Sequence, residues 1–164
     1  MENIFFRRAD KNDIAVIQQL ANKIWYAHYT SIVTIEQIDY MLEKMYSLKS
    51  LEEQMKSRHE FFLAFVNDIP AGFISVQKKE EGIYFLPKFY VDTSLHRKGI
   101  GTKLFEFVLH QTSHPKEIEL TVNRNNSNAI NFYLKLGFII DHPADFDIGN
   151  GFFMNDYVMK RISK

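Results

Sequence analysis

A mixed α/β fold, with a mostly antiparallel sheet covered by helices on both faces in a single domain over residues 1–164, is what the sequence predicts. Three observations carry that expectation. Strand-type apolar runs and helical apolar spacings follow one another in the order β-α-α-α-β-β-β-α-β-α-β-β. Successive strand runs between residues 61 and 91 are separated only by turns, which predicts an antiparallel meander. The last of those runs passes through a glycine-containing loop straight into a helical pattern.

Ile4 to Arg8 reads as a short strand. Asp10 and Asp13 can cap the helix that follows, whose Ile14, Ile17, Leu20 and Ile24 recur at helical spacing. Thr34 with Gln37 gives a capping-box pattern for a helix from Ile35 to about Tyr46, and Ser50 with Glu53 repeats it for a short third helix. Phe61 to Val66, Ala71 to Gln77 and Ile83 to Val91 are the meander strands, with turns at residues 67–70 and 80–82. A helix from Gly99 to about His110 is expected to bury Ile100, Leu104, Phe107 and Val108. Ile118 to Val122 is a strand, and Ser127 to Leu136 a helix that Gly137 ends. Phe138 to Asp141 and Phe152 to Met159 are the last strands, and the turn formers between His142 and Gly151 predict a linker.

The bulk properties narrow the function classes. Hydrophobic residues make up 46% and charged residues 24% of the 164, an ordinary globular composition. Lysine plus arginine equals aspartate plus glutamate at 20 each, so no global field favours nucleic acid or an anionic membrane. Phosphate recognition would have to be local. There is no cysteine, which excludes disulfides, thiolate metal sites and a cysteine nucleophile. No apolar run approaches the roughly 20 residues of a membrane span. A soluble, cytoplasmic protein is expected, with no metal, nucleic-acid or membrane partner.

The most informative stretch is His96-Arg97-Lys98-Gly99-Ile100-Gly101, leading into Thr102 and the helix. Strand, two-glycine loop and helix N-terminus together present free N–H groups and a favourable dipole to a phosphate. Two familiar phosphate motifs fail on spacing. A dinucleotide fingerprint needs glycine where Leu104 stands, and a P-loop needs Lys-Ser/Thr directly after the glycine that precedes Thr102-Lys103. A turn whose glycines merely permit tight packing is the plainer reading of the loop alone. A second segment, Asn126 to Phe138, reads Asn-x-x-Ala-Ile-x-x-Tyr-x-Lys-x-Gly-Phe.

The two segments, in this order, resemble the GNAT superfamily of acyl-CoA-dependent N-acyltransferases. That resemblance implies acetyl-CoA as cosubstrate, with the loop amides of Gly99, Ile100, Gly101 and Thr102 on its pyrophosphate and Arg97 and Lys98 supplying charge. His96 departs from the family's Gln or Arg. It also implies a β-bulge near Lys88 to Asp92, where backbone at Phe89, Tyr90 and Val91 pairs with the pantetheine arm. Pro87 in that strand independently favours an irregularity. Asn126 would lie near the coenzyme, although it is also a natural N-cap. Tyr133 would lie near the sulfur, where a phenol can protonate the departing thiolate; it is the candidate general acid.

The resemblance also implies a general base, commonly a Glu on the fourth strand, but Tyr84 to Pro87 contain no carboxylate. Glu119, His28, Glu36 or a water chain are the candidates. The acceptor pocket is expected from Trp25, Tyr26, His28, Tyr29, Glu36, Asp39 and Tyr40 with Asp145, Asp147, Asn155, Asp156 and Tyr157, a set of aromatics and carboxylates suited to a cation. The expected function is direct acetyl transfer to a small primary amine, similar to the bacterial polyamine acetyltransferases. Protein acetylation and silent acyl-CoA binding are the alternatives, and a homodimer is left open.

Overall fold

The computed structural model describes residues 1–95 and 99–164. Its elements follow the expected order: β1 (Ile4–Arg8), α1 (Ile14–His28), α2 (Ile35–Tyr46), α3 (Leu48–Lys56), β2 (His59–Val66), β3 (Ile69–Glu80), β4 (Ile83–Val91), α4 (Ile100–Gln111), β5 (Glu117–Asn123), α5 (Ser127–Lys135), β6 (Ile139–Gly149) and β7 (Phe152–Ile162). The strands form one seven-stranded sheet in the order β1-β2-β3-β4-β5-β7-β6. Only β4 and β5 run parallel; every other neighbouring pair is antiparallel.

Alternation along the strands divides the side chains between two cores. On one face Phe62, Ile74, Val76, Leu86, Phe89, Leu120 and Val122 pack under α4 and α5 with Leu104, Phe105 and Tyr133. On the other, Phe61, Leu63 and Phe73 pack under α1 to α3 with Ile17, Ile24, Trp25, Ile38 and Leu51. Helices therefore cover both faces, as expected.

Local chemistry explains several boundaries, and some differ from the expectation. The Asp10 carboxylate accepts from the Asn12 amide, while Asp13 reaches back to the Asp10 amide, so this pair caps a 3₁₀ turn at Lys11–Asp13 rather than α1 itself. Asp13 also takes two hydrogen bonds from the Arg7 guanidinium, at 2.9 and 2.8 Å, which hold its carboxyl below the usual range. Thr34 caps α2 as expected. The third helix starts earlier than predicted, because the hydroxyl of Ser47, not Ser50, accepts the capping bond, and the donor is the Ser50 amide. Asn67 and Asp68, at φ 48° and 64°, make a two-residue hairpin turn of the kind that matches strand twist.

In α4 Phe105 is fully buried, whereas Phe107 is half-buried, so the apolar stripe is rotated from the expected one. The predicted linker at residues 142–151 is largely strand. β6 runs to Gly149 and pairs with β7 through Asp147↔Phe153, leaving Asn150 and Gly151 to turn with positive φ. As an edge strand, β6 tolerates Pro143 and its many polar residues.

Gly72 faces Val91 where β3 pairs with β4. A Cβ there would lie 2.7 Å from the Tyr90 carbonyl oxygen, a backbone atom that cannot swing aside. Gly72→Ala is therefore expected to destabilise the fold by about 1–3 kcal/mol. Urea denaturation, with unchanged m-value, is the check.

Candidate active site

The site exists because two neighbouring strands part company. β4 and β5 pair from Ile83↔Glu117 to Leu86↔Leu120, and there the ladder stops. The next residue on β4 is Pro87, which has no N–H to donate. On its other side β4 carries one residue more than β3, since Phe85 and Lys88 face Gln77 and Ser75. The bulge thus falls at Leu86-Pro87, slightly before the expected Lys88 to Asp92. Beyond it, β4 stays with β3 through Phe89↔Ile74, Tyr90↔Phe73 and Val91↔Gly72, while β5 stays with β7. Among the described residues no strand pairs with the β5-facing edge of Phe89, Tyr90 and Val91.

A cavity of about 50 Å³ sits in the mouth of this opening. Trp25 of α1, Tyr29 at the C-cap of that helix and Tyr90 of β4 form its aromatic wall, with the Trp25 and Tyr29 rings stacked at 4.2 Å. Tyr133 on α5 and Asp156 on β7 also line it.

Tyr133 is held by the end of its helix. The Phe138 amide donates to the Tyr133 carbonyl at 3.0 Å and the Gly137 amide to the Leu134 carbonyl at 3.1 Å, with Gly137 at φ 94°. These are the two bonds of a Schellman motif, completed by the Tyr133–Phe138 ring contact at 5.9 Å. Phe89 packs on the same ring at 5.9 Å. Burial, reinforced by Tyr29 and Tyr46 nearby, raises the Tyr133 hydroxyl pKa far above that of a free phenol. The group is thus protonated at any working pH, as a general acid must be.

Asp156 is 1% exposed, and neither carboxylate oxygen has a hydrogen-bond partner of ordinary geometry among the described residues. Burial pushes its pKa up to about 6; the Thr121 hydroxyl and Arg124 pull it partly back, while Asp145 pushes it higher. The sequence reading placed Asp156 only among the acceptor-pocket residues. A local signal for more was present, since an acid stands in alternation with Met154 and Val158 on one face of β7.

The base candidates named from sequence do not line this cavity. Glu119 faces Lys160 at 3.8 Å on the partly exposed side of the sheet. His28 is exposed and bonded to Thr93 at 3.0 Å, and Glu36 is exposed. Of the expected acceptor residues, Trp25, Tyr29 and Asp156 line the cavity. Tyr40 donates to the Ile148 carbonyl at 2.6 Å, Asp145 pairs with Arg124, Asp147 accepts from the Gly149 amide, and Tyr26 bonds Asp39 at the surface. Asn155 is exposed, and Tyr157 packs on the opposite face of the sheet.

Asn126 is the N-cap of α5, accepting from the Ala129 amide at 3.2 Å, and its amide nitrogen donates to the Tyr29 hydroxyl at 3.3 Å. Burial pushes that hydroxyl up to about 12. His96, Arg97 and Lys98 lie outside the described residues. Gly99, at φ 83°, is the N-cap of α4, which begins at Ile100, and among the described residues no side chain caps the helix. The first-turn amides, Ile100 to Thr102 among them, have no partner within the helix. Gly101 serves packing: a Cβ there would meet Phe132 of α5 at 2.9 Å. The strand end before the loop is pinned by Asp92. Burial works against its charge, but Lys23 at 2.7 Å and the Ser94 amide and hydroxyl keep its pKa below the usual value.

Asp156 makes stability depend on pH in an unusual direction. Its native pKa of about 6 lies above the ordinary 3.8. The stability it contributes is fully present below about pH 4 and is lost as pH rises through about 6. The loss is on the order of 3 kcal/mol. Asp156→Asn is accordingly expected to raise Tm near neutral pH and to change it little at about pH 4, as calorimetry at both pH values would register.

Similarity to known proteins agrees with this geometry. A family model described as Acetyltransferase (GNAT) domain matches residues 29–159. The PaiA N-acetyltransferase from Thermoplasma acidophilum, solved in complex with coenzyme A, superposes with a TM-score of 0.83 at 24% identity, covering 98% of this chain and 99% of that one. The ribosomal-protein-S18-alanine N-acetyltransferase from Escherichia coli gives 0.72 at 19% identity, covering 99% and 94%. These likenesses fix the fold. The UPF0157 protein YqkA of Bacillus subtilis is 26% identical over 115 residues, 69% of this chain; the chain spans only 31% of YqkA. The matched residues 29–159 include the parted strands, all the cavity lining except Trp25, the start of α4 and the Tyr133 helix, and the chain belongs to the GNAT acetyltransferase domain family.

Proposed function

We propose that the chain is an acetyl-CoA-dependent N-acetyltransferase that moves acetyl directly to a primary amine. The observation that carries this reading is the unpaired β4 edge opening onto a cavity that holds a buried, protonated Tyr133. Pantetheine is a chain of two amides, and an exposed strand edge binds such a chain as it would bind another strand. Backbone groups of Phe89, Tyr90 and Val91 take that role. The uncapped α4 start supplies amides of Gly99, Ile100, Gly101 and Thr102 to the pyrophosphate, with Arg97, Lys98 and His96 supplying charge and polar contacts. Asn126 bounds the coenzyme site from the start of α5.

In the reaction, the amine nitrogen attacks the thioester carbonyl, the carbon–sulfur bond breaks, and the Tyr133 hydroxyl donates a proton to the sulfur. The cavity offers the acceptor one carboxylate and an aromatic wall, which suits the cationic end of a small polyamine-like molecule. The coenzyme A released as free thiol is the direct readout. Thiol release with spermidine, putrescine, amino acids and N-terminal peptides as acceptors tests the reading, and the account expects the small amines to be preferred. Preference for the peptides would favour a protein acceptor, and acetyl-CoA binding without release with any of them would favour a silent acyl-CoA-binding protein.

Two variants separate the parts of the site. Tyr133→Phe is expected to lower kcat about 100-fold or more while acetyl-CoA affinity stays nearly unchanged. Full turnover by this variant would remove the acid role. Gly99→Val forces a branched side chain into the left-handed region at φ 83°, and is expected to weaken acetyl-CoA binding by about 10-fold or more in calorimetric titration.

A further inference from the structure

We infer that Asp156 is the general base of the transfer, taking a proton from the alkylammonium acceptor so that its nitrogen can attack the thioester; the inference rests on the acetyltransferase reading above. The fourth strand carries no carboxylate at the positions expected for the base, and β7 supplies one to the same cavity. Asp156 comes from β7, two strands from β4 in the sheet order, and lines the same cavity as Tyr133. Both its oxygens are buried and lack a hydrogen bond of ordinary geometry among the described residues. A buried carboxylate with no partner is costly to keep, and it is retained where it has a proton or a cation to receive.

The groups facing Asp156 fit that task. Tyr29 just after α1, Tyr90 from β4 and Tyr133 from α5 are all pushed upward by burial, so they stay neutral and do not compete for the proton. α2 contributes the uncharged Gln37 and Met41 to the cavity, and β5 contributes Thr121 and Asn123. Arg124, after β5, and Asp145, on β6, are the charged groups that act on it, in opposite senses, and they are paired with each other at 2.8 Å. Asp156 is thus the titrating group of the cavity over the range in which enzymes work.

The proton balance closes. An alkylammonium acceptor enters as R–NH₃⁺ and gives one proton to the Asp156 carboxylate. The nitrogen lone pair forms the C–N bond to the acetyl carbon. As the C–S bond breaks, the sulfur gains a proton from Tyr133, and the remaining surplus N–H proton restores the phenol. The products are the amide and free coenzyme A. Asp156 then releases its proton to solvent, so one proton leaves per turnover.

The test is kcat/KM against pH for wild type, Asp156→Asn and Asp156→Glu, with acetyl-CoA binding and Tm measured on each. Wild type is expected to show an acid limb with an apparent pKa near 6, because only the carboxylate form accepts the proton. Asp156→Asn should lose 100-fold or more in kcat with an alkylamine, lose that limb, and keep its acetyl-CoA affinity. It should lose much less with hydroxylamine, which is already unprotonated near neutral pH. Asp156→Glu should recover part of the rate together with a limb. Wild-type transfer with an unmoved limb and rate in Asp156→Asn overturns the assignment and leaves the acetyltransferase reading standing. A variant that raises only KM, equally for both nucleophiles, also overturns it, since Asp156 would then be an anchor. No transfer by wild type overturns the underlying reading and this one with it.

Discussion

The parting of β4 from β5 after Leu86 and Leu120 is the constraint on which the rest of the molecule depends. A parallel pair in the middle of a sheet is ordinarily continuous and buried on both faces. Here it is interrupted at Pro87, where the ladder loses a donor and β4 gains a residue relative to β3. The interruption exposes main-chain donors and acceptors in the sheet centre, normally among the costliest groups to leave unmade. The fold tolerates this because each strand keeps a partner on its outer side: β4 holds β3, and β5 holds β7. The opening is therefore rigid on both flanks, and a ligand that completes the ladder recovers hydrogen bonds the protein has left open.

Around that opening the burial pattern sets the proton chemistry. Aromatic side chains at the end of α1, on β4 and on α5 line the cavity, and burial raises the pKa of each phenol among them. The same low polarity raises Asp156 to about 6. One environment thus pushes an acid and a base in the same direction, with opposite consequences. The phenol becomes a group that always carries its proton, and the carboxylate becomes one that can accept a proton near neutral pH. The stability cost of Asp156 and its chemical usefulness have one origin.

Much of this was legible in the sequence, and the reasons are local. Gly137 announced the end of α5 because a Schellman motif needs a left-handed residue at one position, and glycine meets that need without strain. Pro87 announced an irregular strand because its missing N–H cannot be compensated within a ladder. Thr34 and Gln37 marked a helix start correctly, whereas Ser50 and Glu53 offered the same pattern one turn too late. Capping boxes are short enough to recur by chance inside a helix. The strand at residues 139–149 was hidden by turn-forming residues, since pairing with β7 overrode local preference at a sheet edge. Asp156 was visible as an acid in an apolar alternation, but its environment is made by α1, β4, β5 and α5, which only the folded chain brings together.

On this reading acetyl-CoA completes the β4 edge and the α4 N-terminus. Amide hydrogen exchange on the protein with and without acetyl-CoA measures this at both places. The account predicts slowed exchange at the amides of residues 89–91 that face away from β3 and at those of Ile100, Gly101 and Thr102, with β1 and β2 unaffected. Acetyl-CoA binding that leaves both segments exchanging at their free rates would contradict it.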